Sequence, residues 1–130
     1  MSAFVVDTHA LIWYLENDPV LPYQVRKIME SEGTVLIIPT VVLAEIKHLF
    51  SRKRVKVSFD AVMDSVAGDD RIIIHPFDLA CVEEMDTELD LHDAMIVSTA
   101  TALEGGVCHD ISVITKDRKI RESGLVSVVW

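Results

Sequence analysis

Phe4-Val5-Val6-Asp7-Thr8-His9-Ala10-Leu11-Ile12-Trp13 carries a strand, a carboxylate and the start of a helix with no loop between them. Phe4–Val6 is apolar without alternation, the pattern of a strand covered on both faces. From Thr8 to Glu16 the apolar spacing turns helical. The same order recurs along the chain. Strands are predicted at Val35–Ile38, Ile72–Ile74, Ile111–Ile114 and Val126–Val129. Helices are predicted at Gln24–Ser31, Val41–Lys53, Phe59–Ala67, Leu79–Leu89 and Leu91–Glu104, with a short one from Arg118. Gly33, Gly68, Gly105 and Gly124 mark helix ends, where glycine relieves the backbone. Strands alternating with helices imply right-handed crossovers and a parallel sheet. The expected class is a three-layer α/β fold, with ligands gathered beyond the C-terminal ends of the strands.

The chain has 130 residues, 50% of them hydrophobic and 25% charged, which suits one domain spanning residues 1–130 with a substantial core. That apolar content excludes a disordered chain, and no apolar run reaches the ~18–20 residues of a membrane helix. Asp7 stands where a signal peptide would be basic and then apolar. Cys81 and Cys108 form no CxxC pair, so a reducing cytoplasm is the expected compartment. Net charge is −9, from 21 acids against 12 bases, which argues against general coating of nucleic acid. The bases are nevertheless clustered. Arg52, Lys53, Arg54 and Lys56 form one group, and Lys116, Arg118, Lys119 and Arg121 another.

Four acids attract a chemical reading, and each also has an ordinary one. Asp7 follows a strand and precedes a helix, as an N-cap does. Glu45 lies on the edge of the apolar stripe Val42, Ile46, Leu49 and Phe50, and can equally be a solvated helical glutamate. Asp93 falls in the middle of the face formed by Ile96, Val97, Ala100 and Leu103. A capping box with Asp90 explains an acid in that first turn but not its inward direction. Asp117 follows Ile111–Ile114 and can cap the helix from Arg118. Together the four deliver carboxylates to one edge of the sheet. Like charges 4 Å apart cost ~4 kcal/mol per pair at an effective dielectric of 20, so a cation or a proton must relieve them. Hard oxygen donors suit Mg²⁺ or Mn²⁺ rather than zinc, and such ions support phosphodiester hydrolysis.

Four segments carry a family resemblance: Val5-Val6-Asp7-Thr8-His9-Ala10-Leu11-Ile12-Trp13, Ala44-Glu45-Ile46, His92-Asp93-Ala94-Met95-Ile96-Val97-Ser98-Thr99-Ala100 and Ile114-Thr115-Lys116-Asp117. Their order and intervals resemble the PIN domain, and within it the VapC-type toxin ribonucleases of toxin–antitoxin pairs, from Phe4 to Trp130. The resemblance implies a three-layer α/β/α sandwich around a five-stranded parallel sheet, with a Mg²⁺ or Mn²⁺ pocket. It puts catalytic and metal-holding acids on Asp7, Glu45, Asp93 and Asp117, with supporting hydroxyls on Thr8 and Thr115. It further implies an endoribonuclease acting on RNA, a cognate antitoxin partner and a homodimer. The acidity of the chain departs from what an RNA-cleaving enzyme suggests, and predicts contact with few phosphates. Arg52, Lys53, Arg54 and Lys116 are the expected RNA-binding residues.

Competing patterns fit less well. His92-Asp93 suggests an HD-type phosphohydrolase, but those enzymes are helical. His9 and His109 match no zinc spacing. Val6-Asp7-Thr8 lacks the second aspartate of a haloacid-dehalogenase motif, and Thr115 and Lys116 are adjacent rather than on successive strands as in a receiver domain. Leu11, Trp13 and Tyr14 read as core or interface. A non-catalytic partner-binding scaffold on the same fold would account for the acidity, but has no physical need to keep four acids together.

Overall fold

The structure is a computed structural model, and it describes residues 2–106 and 110–130. Cys108 and His109 lie outside the described residues. The order of elements is β1 (Ser2–Val6), α1 (Thr8–Leu15), α2 (Tyr23–Glu30), β2 (Thr34–Pro39), α3 (Thr40–Ser51), α4 (Phe59–Ala67), β3 (Ile72–His75), α5 (Leu79–Glu83), α6 (Leu91–Glu104), β4 (Ile111–Ile114), α7 (Arg118–Ser123) and β5 (Ser127–Val129). The strands form one parallel sheet in the order β3-β2-β1-β4-β5. Val5, Val6, Ile38, Val113 and Ile114 in its three central strands are wholly buried, so helices cover both faces, as the unalternating apolar runs require. This is the α/β/α sandwich expected from the sequence.

The strand order fixes where a ligand would go. The chain moves outward from β1 through β2 to β3, then returns across the sheet to β4 on the other side of β1. The direction of winding therefore reverses between β1 and β4, and the crevice beyond their C-terminal ends is where open α/β sheets hold ligands. Val6 pairs with Ile114 across that junction, and the Asp7 N–H donates to the Ile114 carbonyl at 3.0 Å.

Two local expectations fail. The predicted helix Leu79–Leu89 ends at Glu83. Beyond it the Asp86 side chain accepts the Glu88 N–H at 2.8 Å, a local bond that competes with helical pairing and turns the chain. Phe50 is 44% exposed and does not extend the α3 stripe. Leu43 is buried instead, while Phe50 and Phe59 line a surface groove with Lys47 between α3 and α4.

Candidate metal centre

Asp7 is placed by the strand-to-helix junction itself. It caps α1 by accepting the Thr8 N–H at 2.7 Å through Oδ1, while Oδ2 accepts the Thr115 hydroxyl at 2.6 Å. The buried Thr115 Oγ1 also accepts the Asp117 N–H at 2.9 Å. One hydroxyl thus holds together the ends of β1 and β4. Asp117 in turn caps α7, accepting from Lys119 N at 2.8 Å and Ile120 N at 3.2 Å through one carboxylate oxygen. Capping and convergence are not alternatives for either residue. The cap is what aims each carboxylate at the crevice.

Asp93, only 9% exposed, shares the buried face of α6 with Ile96, Val97 and Ala100. The capping-box explanation does not hold, because Asp90 makes no side-chain cap bond and pairs with Lys119 Nζ at 3.0 Å. Burial pushes the Asp93 carboxyl above the ordinary carboxylate range, and the charges of Asp117 and Asp7 push it further. Glu45 comes from the second turn of α3. It is half-buried, and its Oε2 lies 3.3 Å from His92 Nε2.

His92, which the sequence offers only as part of an HD motif, also stands among these acids. Its Nε2 lies 3.3 Å from Glu45, 3.4 Å from Thr8 Oγ1 and 3.8 Å from Asp7 Oδ1. Its place one residue before an inward-facing acid in the first helical turn was the available signal. The ring sits between two carboxylates that would otherwise repel. Burial pushes the Asp7 carboxyl up, but the interactions with His92, the Thr115 hydroxyl and the Thr8 N–H outweigh it and leave it below its ordinary value. Asp7 raises the His92 pKa above its ordinary 6.5 against the opposing effect of burial, helped by the charges of Glu45 and Asp93.

That shift has a measurable consequence. A histidine whose folded pKa is raised stabilises the fold fully below the unfolded value of about 6.5, and loses that contribution as pH rises through the folded value. In metal-free buffer, the stability advantage of the wild type over His92→Gln should be greatest near pH ~5.5 and shrink by pH ~8.5. Denaturant melts across that range measure it, and an advantage that grew with pH would contradict the geometry.

A cleft of about 320 Å³ opens beside these groups, lined by Asp7, His9, Ala10, Trp13, Thr115, Lys116 and Asp117. Trp13 forms its apolar wall, packed on Trp130 at 5.8 Å between ring centroids, with the Lys116 ammonium 5.6 Å over its ring. Of the expected residues, Asp7, Asp117, Thr115 and Lys116 line this cleft, Glu45 and Thr8 adjoin Asp7 through His92, and Asp93 is linked to Asp7 and Asp117 by charge. Arg52, Lys53 and Arg54 are not part of this cleft. They lie exposed at the end of α3, where Arg52 is about 10 Å along the helix axis from Glu45. A larger cleft of about 530 Å³ is lined by Asp86, Asp90, Lys119, Glu122 and Leu125, among others.

The donor set fits a hard divalent cation. Every acid offers oxygen, and the buried Asp93 gains most from a positive charge nearby. No three of the four acids bring carboxylate oxygens within 4.8 Å of one another. Ligand atoms so spaced do not form a closed cage, and an ion held among them would keep several of its waters.

A parallel α/β sandwich with carboxylates around its switch-point crevice is the class that fold and site define. The PIN domain family model matches residues 4–124, and the chain belongs to that family, whose members are typically nucleases. Among solved structures it is similar to VapBC2 from Rickettsia felis bound to a DNA fragment from their promoter. The likeness has a TM-score of 0.68 at 18% identity, over 98% of this chain and 97% of that one. No curated protein sequence matches.

Proposed function

We propose that the protein is a Mg²⁺- or Mn²⁺-dependent endoribonuclease, the VapC-type toxin of a toxin–antitoxin pair. The observation that carries this reading is the Thr115 hydroxyl at the β1/β4 switch point, which donates to the Asp7 carboxylate and accepts the Asp117 backbone N–H, beside a buried Asp93 whose pKa is raised by burial and by the charges of Asp117 and Asp7. Asp7 and Asp93 are the direct metal ligands, and Glu45 and Asp117 complete the set directly or through water. A divalent ion held there supplies an activated water and neutralises charge developing on a scissile phosphate. Thr115 fixes Asp7 and the Asp117 loop, and His92, in contact with the Thr8 hydroxyl, lies between Glu45 and Asp7. Lys116 offers its ammonium to a phosphate entering over Trp13. The antitoxin partner belongs to the same reading and is supported by the likeness to VapBC2; a homodimer and a cytoplasmic setting complete the proposal.

The test is cleavage of total RNA and of a labelled single strand by the purified protein, with Mg²⁺, with Mn²⁺ and with EDTA, followed by mapping of the new ends. Metal-dependent cuts at defined positions are expected. Inertness towards RNA together with indifference to both ions would leave a partner-binding scaffold.

Substrate binding by so acidic a chain should engage few phosphates. With single strands, log affinity falls with log salt at ~0.7 per phosphate neutralised, so a shallow slope is expected. Neutralising Arg52, Lys53 and Arg54 together, in a catalytically dead variant, should weaken RNA binding across sequences and flatten the slope further. Identical slopes with and without the three charges would remove this cluster from the RNA path and leave Lys116 as the phosphate contact.

A further inference from the structure

Outside the acidic crevice, one other set of chemically potent side chains converges. His75 ends β3, Asp78 caps α5 and Cys81 lies on the first turn of α5. Among the described residues, these three form the one group of three His, Cys, Asp or Glu side chains whose ligand atoms all lie within 4.8 Å of one another. Their spacing, His-x-x-Asp-x-x-Cys, follows from the local structure. A cap side chain folds over the first helical turn, which brings Asp78 against Cys81, and the short connection from β3 carries His75 to the same spot. Asp78 Oδ1 accepts the Cys81 N–H at 3.1 Å. Its other oxygen faces His75 Nε2 at 4.0 Å, too far for a hydrogen bond.

We propose that His75, Asp78 and Cys81 form a second cation site, for a zinc-class transition ion, separate from the acidic crevice. The donor chemistry selects the ion. Imidazole nitrogen and thiolate sulfur favour Zn²⁺ or Co²⁺ over Mg²⁺, in contrast with the all-oxygen crevice. Tetrahedral zinc with bonds of ~2.0–2.3 Å puts its ligand atoms ~3.3–3.6 Å apart, so atoms that lie within 4.8 Å of one another need to close by at most about 1.5 Å. Side-chain rotation of His75 and Asp78 can supply this, because neither is fixed in the core, with 23% and 49% of their side chains exposed. Cys81 is fully buried and supplies the inner wall.

Binding is balanced by one proton. The Cys81 thiol gives up its hydrogen to solvent as sulfur bonds the ion, neutral His75 donates the Nε2 lone pair, and Asp78 binds as carboxylate. Water fills the fourth position. Burial pushes the free Cys81 thiol up, so the ion replaces a bound proton instead of meeting a ready thiolate. The site would clamp the end of β3 to α5, which packs on the Asp93-bearing α6. Phe77, between His75 and Asp78, already donates its N–H to Thr40 Oγ1 at the start of α3, at 3.0 Å.

The test uses the untagged full chain, stripped of metal and kept reduced, titrated with Co²⁺ and then Zn²⁺. A thiolate-to-cobalt charge-transfer band is expected, bleached by one equivalent of Zn²⁺, together with a Zn²⁺-dependent rise in Tm. The Asp7→Asn variant should keep both signals, which separates this site from the proposed nuclease centre. Cys81→Ser should lose the band, and His75→Gln should weaken Zn²⁺ binding on the order of tenfold or more. Asp78→Asn keeps a good cap while removing the charge, and should also weaken binding even if the buried Cys81→Ser proves unstable. Absence of the band in wild type, or equal Zn²⁺ affinity in wild type and the His75 and Asp78 variants, would overturn the proposal.

Discussion

Replacing Asp7 by Asn is expected to lower RNA cleavage by on the order of a hundredfold or more while leaving the circular dichroism spectrum unchanged. The two halves of that result have separate causes. Asparagine retains the carbonyl oxygen that accepts the Thr8 N–H, so α1 stays capped, and its amide can face the Thr115 hydroxyl with the hydrogen bond reversed. What disappears is one negative charge of the acidic set at the point where β1 and β4 diverge. Removal of a carboxylate elsewhere on this acidic surface would not have that effect. Asp18 is a suitable control, since its carboxylate serves an exposed turn by accepting the Val20 N–H at 2.9 Å. Full cleavage by the Asp7 variant, with contaminating nuclease excluded, would dismiss the assignment.

The second large effect is on stability, and it has the opposite sign at a neighbouring acid. Asp93 carries a raised pKa in the fold, so its charged form costs stability above that pKa, and the cost vanishes as pH falls below the unfolded value of about 3.8. Asp93→Asn should therefore raise the metal-free Tm at neutral pH by roughly 2–5 °C. The same change should shrink the Tm increase given by millimolar Mg²⁺ or Mn²⁺. A divalent ion bound only by the folded state stabilises by RT ln(1 + [L]/Kd), ~2.7 kcal/mol at a hundredfold excess over Kd. Asp7 works the other way. Its pKa is lowered, so its charge contributes stability above about 3.8 that is lost as pH falls through the folded value. Thermal melts of the wild type and both variants, with and without metal, compare these signs directly. A metal-free Tm for Asp93→Asn below that of the wild type would contradict a strained site.

Much of this was legible in the chain because it is local. Unalternating runs such as Phe4–Val6 and Ile111–Ile114 can be buried only between two helical layers, which dictates a parallel sheet and right-handed crossovers. The junctions Val6-Asp7-Thr8 and Thr115-Lys116-Asp117 placed acids at strand ends, where local backbone rules alone orient them. The inward direction of Asp93 followed from helical periodicity, since 100° per residue leaves one position on the Ile96–Ala100 face. The strand order, and with it the switch point between β1 and β4, was decided by tertiary structure, because a crossover can return to either side of the strand it left. The position of His92 between Glu45 and Asp7 was decided there too. It depends on α3 and α6 meeting, and Glu45 and His92 stand 47 positions apart. The early end of α5 is a contest between one Asp86 side-chain bond and helical pairing, which apolar spacing does not register. Sequence specifies what each segment buries and how its ends are capped. Which caps face one another depends on how the layers stack, a free energy shared by the whole core.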